Sequence, residues 1–263
     1  MARVLSLGSG SSGNSFFVGD AAGGVLIDVG LSFSKIFKAL AQQGIGQRQV
    51  EALLLTHEHS DHVKGLGTFL KKTDIPVYAT EGCAQRLFRS LPELEPRLRP
   101  VEKKKTFSVG HAAFSAFSVY HDAADAVGYR VETADRRQVV YCTDVGHVDE
   151  ALLQDLSEAD FHILEANYDV GMLQCNVAYP FLLRQRISGE KGHLSNADCA
   201  ETVLQLLDTG SRRFLLAHLS EQNNTPQIAY ETVRCALGNA GYVENSDYEL
   251  CVAPRDDVRM LIF

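Results

Sequence analysis

The stretch Thr56-His57-Glu58-His59-Ser60-Asp61-His62 places three imidazoles and an aspartate within six residues, in a chain that has 9 histidines among 263 residues. Neutral imidazole and carboxylate are ligands for divalent ions, for zinc above all and also for manganese and iron. A solvated polar turn is the alternative, but turns favour Gly, Asn and Ser for backbone reasons and gain nothing from histidine. We therefore interpret His57, His59, Asp61 and His62 as metal ligands.

The segments on either side of this stretch indicate how the ligands are held. Residues 50–55 are mostly apolar and predict a buried strand, whereas residues 63–72 have apolar side chains at helical spacing. The ligands would then lie on a loop between a strand and a helix and face one cavity. Further strands are predicted at residues 4–7, 16–18, 25–28, 77–79 and 213–217, and further helices at 34–44, 83–91, 198–207 and 226–240. This alternation predicts an α/β fold of two mixed sheets packed together, with helices outside.

Length and composition predict one domain, residues 1–263, that buries a sizeable core. No apolar run approaches the roughly 18 residues that span a bilayer, and no signal-peptide core follows Met1. The six cysteines lack C-x-x-C spacing, which argues against a zinc knuckle or a disulfide framework. We therefore expect a soluble cytoplasmic protein with no membrane partner, and most cysteines as small core residues. The oligomeric state cannot be read from the sequence.

The net charge of −8 argues against a protein that coats nucleic acid, but it does not argue against a nuclease. Two bound divalent cations would add four positive charges where a phosphate must sit. Basic residues at 103–105, at Arg184 and Arg186, and at 212–213 are expected to be solvated rather than to line a substrate groove.

The segment from Gly8 to Gly13 matches G-x-G-x-x-G after a predicted strand, as a dinucleotide-binding loop would. A second strand pattern follows it, where dinucleotide binding requires a helix. We therefore predict a glycine-rich hairpin connection whose backbone amides could contact a substrate anion.

Three polar residues farther along the chain follow apolar strand patterns directly. They are His121, Asp144 and His218. A buried imidazole or carboxylate is costly unless it is paired or bound to metal. Together with the four ligands of the opening stretch, they complete the seven that a site for two ions needs.

At this point the chain resembles the metallo-β-lactamase family. Asp28 matches the first motif of that family, usually a supporting aspartate, and H-x-H-x-D-H matches the second. His121, Asp144 and His218 match the remaining three motifs. Further segments resemble the bacterial WalJ (YycJ) subgroup: residues 8–14, 117–123, 164–167, 192–196 and 218–224.

The resemblance implies a four-layer αββα sandwich with two divalent metal ions at one edge and a phosphodiesterase or 5′-to-3′ DNA exonuclease activity. It implies that His57, His59 and His121 hold one ion. It implies that Asp61, His62 and His218 hold the other, with Asp144 bridging the two. The family pattern has histidine where this chain has Tyr168, so no role is carried over to that position, and Glu165 and Asn167 also remain without one.

Asp61 and His193 are candidate catalytic groups. Asp61, besides ligating, would orient the attacking water, as the resemblance implies. His193 would contact phosphate or protonate the leaving group, or else be an ordinary neighbour of a helix cap. Cys142 is expected to be structural, as are His111, His147 and His162.

Two other functions remain open: a small-molecule metallohydrolase acting on a cyclic phosphodiester or thioester, and a regulatory metal-binding protein without turnover.

Overall fold

The computed structural model describes all 263 residues, and their contacts group the chain into two compact units. The first unit comprises residues 1–118, 123–137 and 254–263. The second comprises residues 119–122 and 138–253.

The first unit contains a seven-stranded mixed sheet with an apolar core. Its strands are β1 (Arg3–Gly8), β2 (Ser15–Gly19), β3 (Gly24–Ile27), β4 (Val50–Leu54), β5 (Val77–Ala79), β6 (Leu98–Pro100) and β14 (Arg259–Ile262). Their order is β14-β1-β2-β3-β4-β5-β6. Pairing is antiparallel from β14 to β3 and parallel from β3 to β6. The carboxyl ends of β3 and β4 therefore lie at the same edge, where Asp28 and the histidine stretch follow.

The same unit holds an antiparallel meander and four helices. The meander consists of β7 (Thr106–Val109), β8 (Ala112–Ser118) and β9 (Val127–Glu132). The helices are α1 (Phe33–Gln42), α2 (Ser60–Val63), α3 (Leu66–Lys72) and α4 (Glu81–Phe88), and a 3₁₀ turn spans Pro92–Arg97. The apolar faces of α1 and α3 pack into the core through residues such as Ile36 and Phe69.

The second unit is built on four parallel strands, each followed by a helix or a loop. The strands are β10 (Gln138–Cys142), β11 (Phe161–Glu165), β12 (Arg213–Ala217) and β13 (Glu249–Val252). The helices are α5 (Glu150–Leu156), α6 (Val170–Cys175), α7 (Phe181–Ile187), α8 (Asn196–Asp208) and α9 (Pro226–Asn239). Because the strands are parallel, polar residues at the ends of β10, β11 and β12 meet at one edge.

Most predicted elements are confirmed within a few residues, one differs, and several elements were not predicted. The helix predicted at residues 63–72 is interrupted at Gly65, whose N–H donates to the carbonyl of Val29. An added Cβ at Gly65 would lie 2.2 Å from the carbonyl oxygen of Leu31, so this close approach requires glycine. The 3₁₀ turns at Gln47–Gln49 and Pro92–Arg97 and the helices α5, α6 and α7 were not predicted. No helix of the structure is both long and apolar enough to cross a bilayer.

Candidate metal centre

In the first unit, the histidine stretch forms a compact cluster after β4. The ring centroid of His57 lies 4.2 Å from that of His62 and 4.7 Å from that of His59. His57 and His62 are buried. Asp61 Oδ2 lies 3.4 Å from His62 Nε2. The structure therefore brings together the four ligands predicted from this stretch.

Asp28 supports this cluster from the end of β3. Its carboxylate accepts hydrogen bonds from the N–H of Thr56 at 2.9 Å and from the Thr56 hydroxyl at 2.8 Å, and Oδ2 lies 2.7 Å from His62 Nδ1. Burial raises the pKa of Asp28, against the opposing influence of His62. Since the Thr56 hydroxyl donates to Asp28, its oxygen is left to accept from His57 Nδ1, 3.0 Å away. Asp28 and Thr56 thus orient two imidazoles.

The glycine-rich connection at residues 8–14 contacts the loop that carries Asp61. It joins β1 to β2 as a hairpin, which confirms the prediction that it is not a dinucleotide loop. The N–H of Asn14 donates to the carbonyl of Asp61, and the N–H of Gly30 donates to the carbonyl of Asn14. An added Cβ at Gly30 would lie only 1.6 Å from the Asp61 carbonyl oxygen.

The expectation that the amides of this connection bind an anion is wrong for four of them. The N–H groups of Ser9, Gly10, Gly13 and Asn14 donate to acceptors within the protein. Of the four, the N–H of Asn14 holds the loop that carries Asp61.

A second group of candidate metal ligands lies in the second unit, at the ends of its parallel strands. Asp144 lies two residues beyond β10, Glu165 ends β11, and His218 directly follows β12. His193 reaches the same place from the loop before α8. Each of these four residues offers a ligand atom, and the four atoms lie within 4.8 Å of one another. His193 therefore belongs to this cluster and is not an ordinary cap neighbour.

Glu165 occupies the middle of this group, and sequence reasoning had assigned it no role. Oε1 lies 2.7 Å from His218 Nδ1 and 3.0 Å from His193 Nδ1. Oε2 accepts from the backbone N–H groups of Val145 at 2.9 Å and Leu194 at 3.0 Å. Burial opposes ionisation of Glu165, but the two histidines hold its pKa at about 2. Burial alone would lower the pKa of His193, but Glu165 and Asp144 raise it.

His121 is oriented by a backbone carbonyl. Its Nδ1 lies 3.0 Å from the carbonyl oxygen of Gly192, which accepts the Nδ1 proton. Its Nε2 faces carboxylate oxygens of Asp122 at 3.4 Å and Asp144 at 3.8 Å. Burial lowers the pKa of His121, which favours the neutral imidazole that a metal requires.

Three site residues adopt left-handed backbone conformations. Asp28 has φ 58°, Asp144 φ 58° and His218 φ 55°. This region is uncommon for residues other than glycine, although Asp and His enter it more readily than most. In each case it turns the chain sharply at the end of a strand.

The donor set fits divalent metal ions. In five imidazoles, those of His57, His62, His121, His193 and His218, Nδ1 lies against a hydroxyl, carboxylate or carbonyl oxygen. An Nδ1–H that donates there leaves the lone pair on Nε2, and this is the arrangement in which outer partners usually orient metal-binding histidines. Carboxylates and imidazoles together suit zinc, manganese and iron.

The remaining histidines and Cys142 lie outside both ligand groups, as expected. His111 contacts Glu51, His147 contacts the carbonyl of Glu190, and His162 is buried against Phe214. Cys142 is buried in β10, and burial raises the pKa of its thiol. The expectation that most cysteines are core residues holds for three of the six, since only Cys83, Cys142 and Cys199 are buried.

Comparison with known proteins identifies the class to which this fold and donor set belong. Residues 24–219 match the family model described as "Beta-lactamase superfamily domain", and the chain belongs to that family. Its fold is the predicted α/β sandwich of two mixed β-sheets flanked by helices.

Two curated relatives are similar over nearly the whole chain. The chain is 35% identical over 247 residues to Exodeoxyribonuclease WalJ of Streptococcus pneumoniae serotype 2, covering 93% of this chain and 91% of the relative. It is 34% identical over 248 residues to Exodeoxyribonuclease YycJ of Bacillus anthracis, covering 93% and 92%. Among solved structures, Zn²⁺-bound PqqB from Methylobacterium extorquens has a TM-score of 0.74 and 21% identity, covering 99% of this chain and 100% of that chain.

Proposed function

We propose that this protein is a metal-dependent phosphodiester hydrolase that degrades DNA from an end, in the 5′-to-3′ direction. The observation that carries the proposal is the 34–35% identity over 93% of the chain to proteins named exodeoxyribonucleases. The two ligand groups, each with imidazoles oriented through Nδ1, support the metal dependence. We also propose that residues 1–263 act as one functional domain, because the family match includes residues of both units.

We propose that two divalent cations bind, most readily zinc, with manganese or iron as alternatives. His57, His59 and His121 would hold one ion, Asp61, His62 and His218 the other, and Asp144 would bridge them. The chemistry of the donors supports this assignment, because a cluster of buried imidazoles and carboxylates is costly without a cation to offset it. When bound, the ions would supply a nucleophile at neutral pH and Lewis acidity for the phosphate.

The side chains would orient the reactants. Asp61 would position the attacking water. His193, held through Nδ1 by Glu165 and doubly protonated, would direct its Nε2–H to the phosphate or to the leaving oxygen, as a hydrogen-bond donor or an acid. No covalent enzyme intermediate is needed.

A chain with net charge −8 cannot bind DNA by general attraction. Affinity would therefore depend on the cations and on a few placed donors, and the protein would act on an end that reaches them rather than along the duplex. We propose a cytoplasmic location, because all six cysteines are unbridged, as in a reducing compartment.

A comparison of substrates tests this function. Zinc- or manganese-loaded protein is incubated in parallel with end-labelled single-stranded DNA, RNA, bis-p-nitrophenyl phosphate and a thioester. We expect DNA to shorten from its 5′ end, and His59→Ala to abolish this while the exposed control His111→Ala retains it. Cleavage of the thioester or of small phosphodiesters alone would indicate a small-molecule metallohydrolase. No turnover of any substrate would indicate a binding protein.

Two further measurements separate the metals from His193. Elemental analysis should find two ions per chain, and one ion at saturation would contradict the binuclear site. His193→Ala should lower DNA cleavage by about 10- to 1000-fold without changing metal content. An unchanged rate would remove His193 from the mechanism.

A further inference from the structure

A small cavity lies in the second unit between α6 and α7, outside both ligand groups. Its volume is about 280 Å³, near the lower limit for ligand pockets. Apolar and aromatic side chains form much of its wall: Tyr168, Val170, Leu173 and Phe181. The amides of Gln174 and Gln185 also line it. An apolar wall with a few polar groups suits a flat, polar-edged ring.

The cavity adjoins exposed apolar side chains on a segment with no acidic residue. Four of the eight large hydrophobic side chains that are exposed lie here, including Phe181 at 63% and Leu182 at 76%. Residues 170–188 contain two arginines and no aspartate or glutamate, in a chain with net charge −8. Arg186 pairs with Asp122, whereas Arg184 lines the cavity and donates to the carbonyls of Gln174 and Asn176. Arg184 therefore supplies a positive charge at the cavity that a phosphate of a polyanion can approach.

Direct bonds join the cavity to the second ligand group. The N–H of His193 donates to the carbonyl of Ile187, the last residue of α7, at 2.8 Å. Tyr168 lies three residues after Glu165, and its carbonyl accepts from the N–H of Asn196 at 2.8 Å. A strand bridge also pairs Tyr168 with Ser195. Tyr168 lines the cavity, and so does Ser188, which follows Ile187, so the cavity and the loop that carries His193 are neighbours in the second unit.

We propose that this cavity receives a nucleobase of the DNA strand next to the bond being cleaved, with Phe181 as the stacking surface. The inference rests on the proposed function and deepens it. Each base presents a flat face to an aromatic ring, so stacking binds single strands with little sequence preference. The two glutamine amides both donate and accept hydrogen bonds and therefore accommodate the edge of any base.

Phe181→Ala tests the proposal, with Leu182→Ala as the matched control. Both side chains are exposed on α7, but only Phe181 lines the cavity. Exposure also means that neither truncation removes core packing, which thermal unfolding would verify. We expect Phe181→Ala to raise the KM for single-stranded DNA about 10-fold with little change in kcat, because one base–aromatic contact contributes about that factor. Leu182→Ala should match wild type.

Two substrates make the test specific. Wild type should cleave a strand that is abasic at its end with the same raised KM, and Phe181→Ala should cause no further loss on that strand. Fluorescence of 2-aminopurine at the end should be quenched on binding to wild type and less so on binding to Phe181→Ala. Metal content, measured by elemental analysis, should be equal in all variants, because neither Phe181 nor Leu182 belongs to a ligand group.

The outcomes separate this inference from the proposed function. Equal KM values and equal quenching in wild type and Phe181→Ala would overturn the base site while leaving the exonuclease intact. Turnover of bis-p-nitrophenyl phosphate without any DNA cleavage would overturn the function itself. If both variants left DNA kinetics unchanged but altered the sedimentation coefficient, α7 would be a contact between copies of the chain, and the base site would be wrong.

Discussion

Glu165→Gln is expected to affect both the stability and the metal affinity of the protein, because the Glu165 carboxylate accepts four hydrogen bonds. Oε1 faces the two imidazoles of His193 and His218, and Oε2 faces the amides of Val145 and Leu194. Glutamine keeps one oxygen and replaces the other with an NH₂ group. In one orientation two buried amides then face another donor; in the other, both imidazoles must give up the Nδ1–H form.

The expected loss can be estimated from these contacts. A buried donor without an acceptor costs about 1–3 kcal/mol, so two should lower the free energy of unfolding of the metal-free protein by about 2–6 kcal/mol. Loss of an outer partner of metal-binding histidines typically lowers metal affinity about 10- to 100-fold. Both effects should appear together, since the same atoms produce them.

Urea denaturation followed by circular dichroism measures the first effect, and zinc titration against a chromophoric chelator measures the second. Glu201→Gln is the control, because Glu201 is an exposed residue of α8. If Glu165→Gln bound zinc within twofold of wild type and unfolded at the same urea concentration, the orienting role of Glu165 would be refuted.

The pH dependence of the same pair of proteins has a defined sign. The pKa of Glu165 is about 2 in the folded protein, below its usual 4.5. Its contribution to stability is therefore present above pH 4.5 and lost as the pH falls from 4.5 toward 2. The difference in unfolding free energy between wild type and Glu165→Gln should shrink over this window, and a constant difference would contradict the shifted pKa.

Three other changes follow from contacts described above. Gly30→Ala should displace the Asp61 loop and weaken metal binding in the same zinc titration, because the new Cβ would overlap the Asp61 carbonyl; unchanged affinity would mean that the loop moves at no cost. Thr56→Val, which removes a hydroxyl at nearly constant volume, should lower zinc affinity by about 10-fold through loss of its contacts with Asp28 and His57, and wild-type affinity would contradict this. In the native protein a thiol reagent should modify Cys175 and Cys235 rapidly. Rapid modification of any buried thiol would contradict the packing; the buried thiols are those of Cys83, Cys142 and Cys199.

The sequence predicted the elements whose burial follows a local period. The buried strands and the long helices α8 and α9 have side-chain patterns that need no knowledge of neighbours, and the structure confirms them. The break between α2 and α3 could not be found in this way. It arises because Gly65 packs against the backbone of residues 29–31, and such a contact leaves no trace in local periodicity.

The ligands were easier to find than the residues that orient them. The histidine stretch is dense in donors, and His121, Asp144 and His218 each follow an apolar strand pattern. Glu165 ends a strand of otherwise apolar residues, and its partners His193 and His218 are 28 and 53 residues away. A buried charged residue at a strand end was the available signal, since burial of a carboxylate demands partners. Their identity required the fold.

Asp28, Asp144 and His218 adopt left-handed backbone conformations that are unfavourable for stability, although their side chains belong to the site. Glycine would adopt these angles with the least strain, whereas other residues pay about 1–3 kcal/mol for such conformations. A drift toward glycine at any of the three would therefore relax the backbone while it removed the side chain. Backbone stability and metal chemistry therefore favour different residues at these three positions.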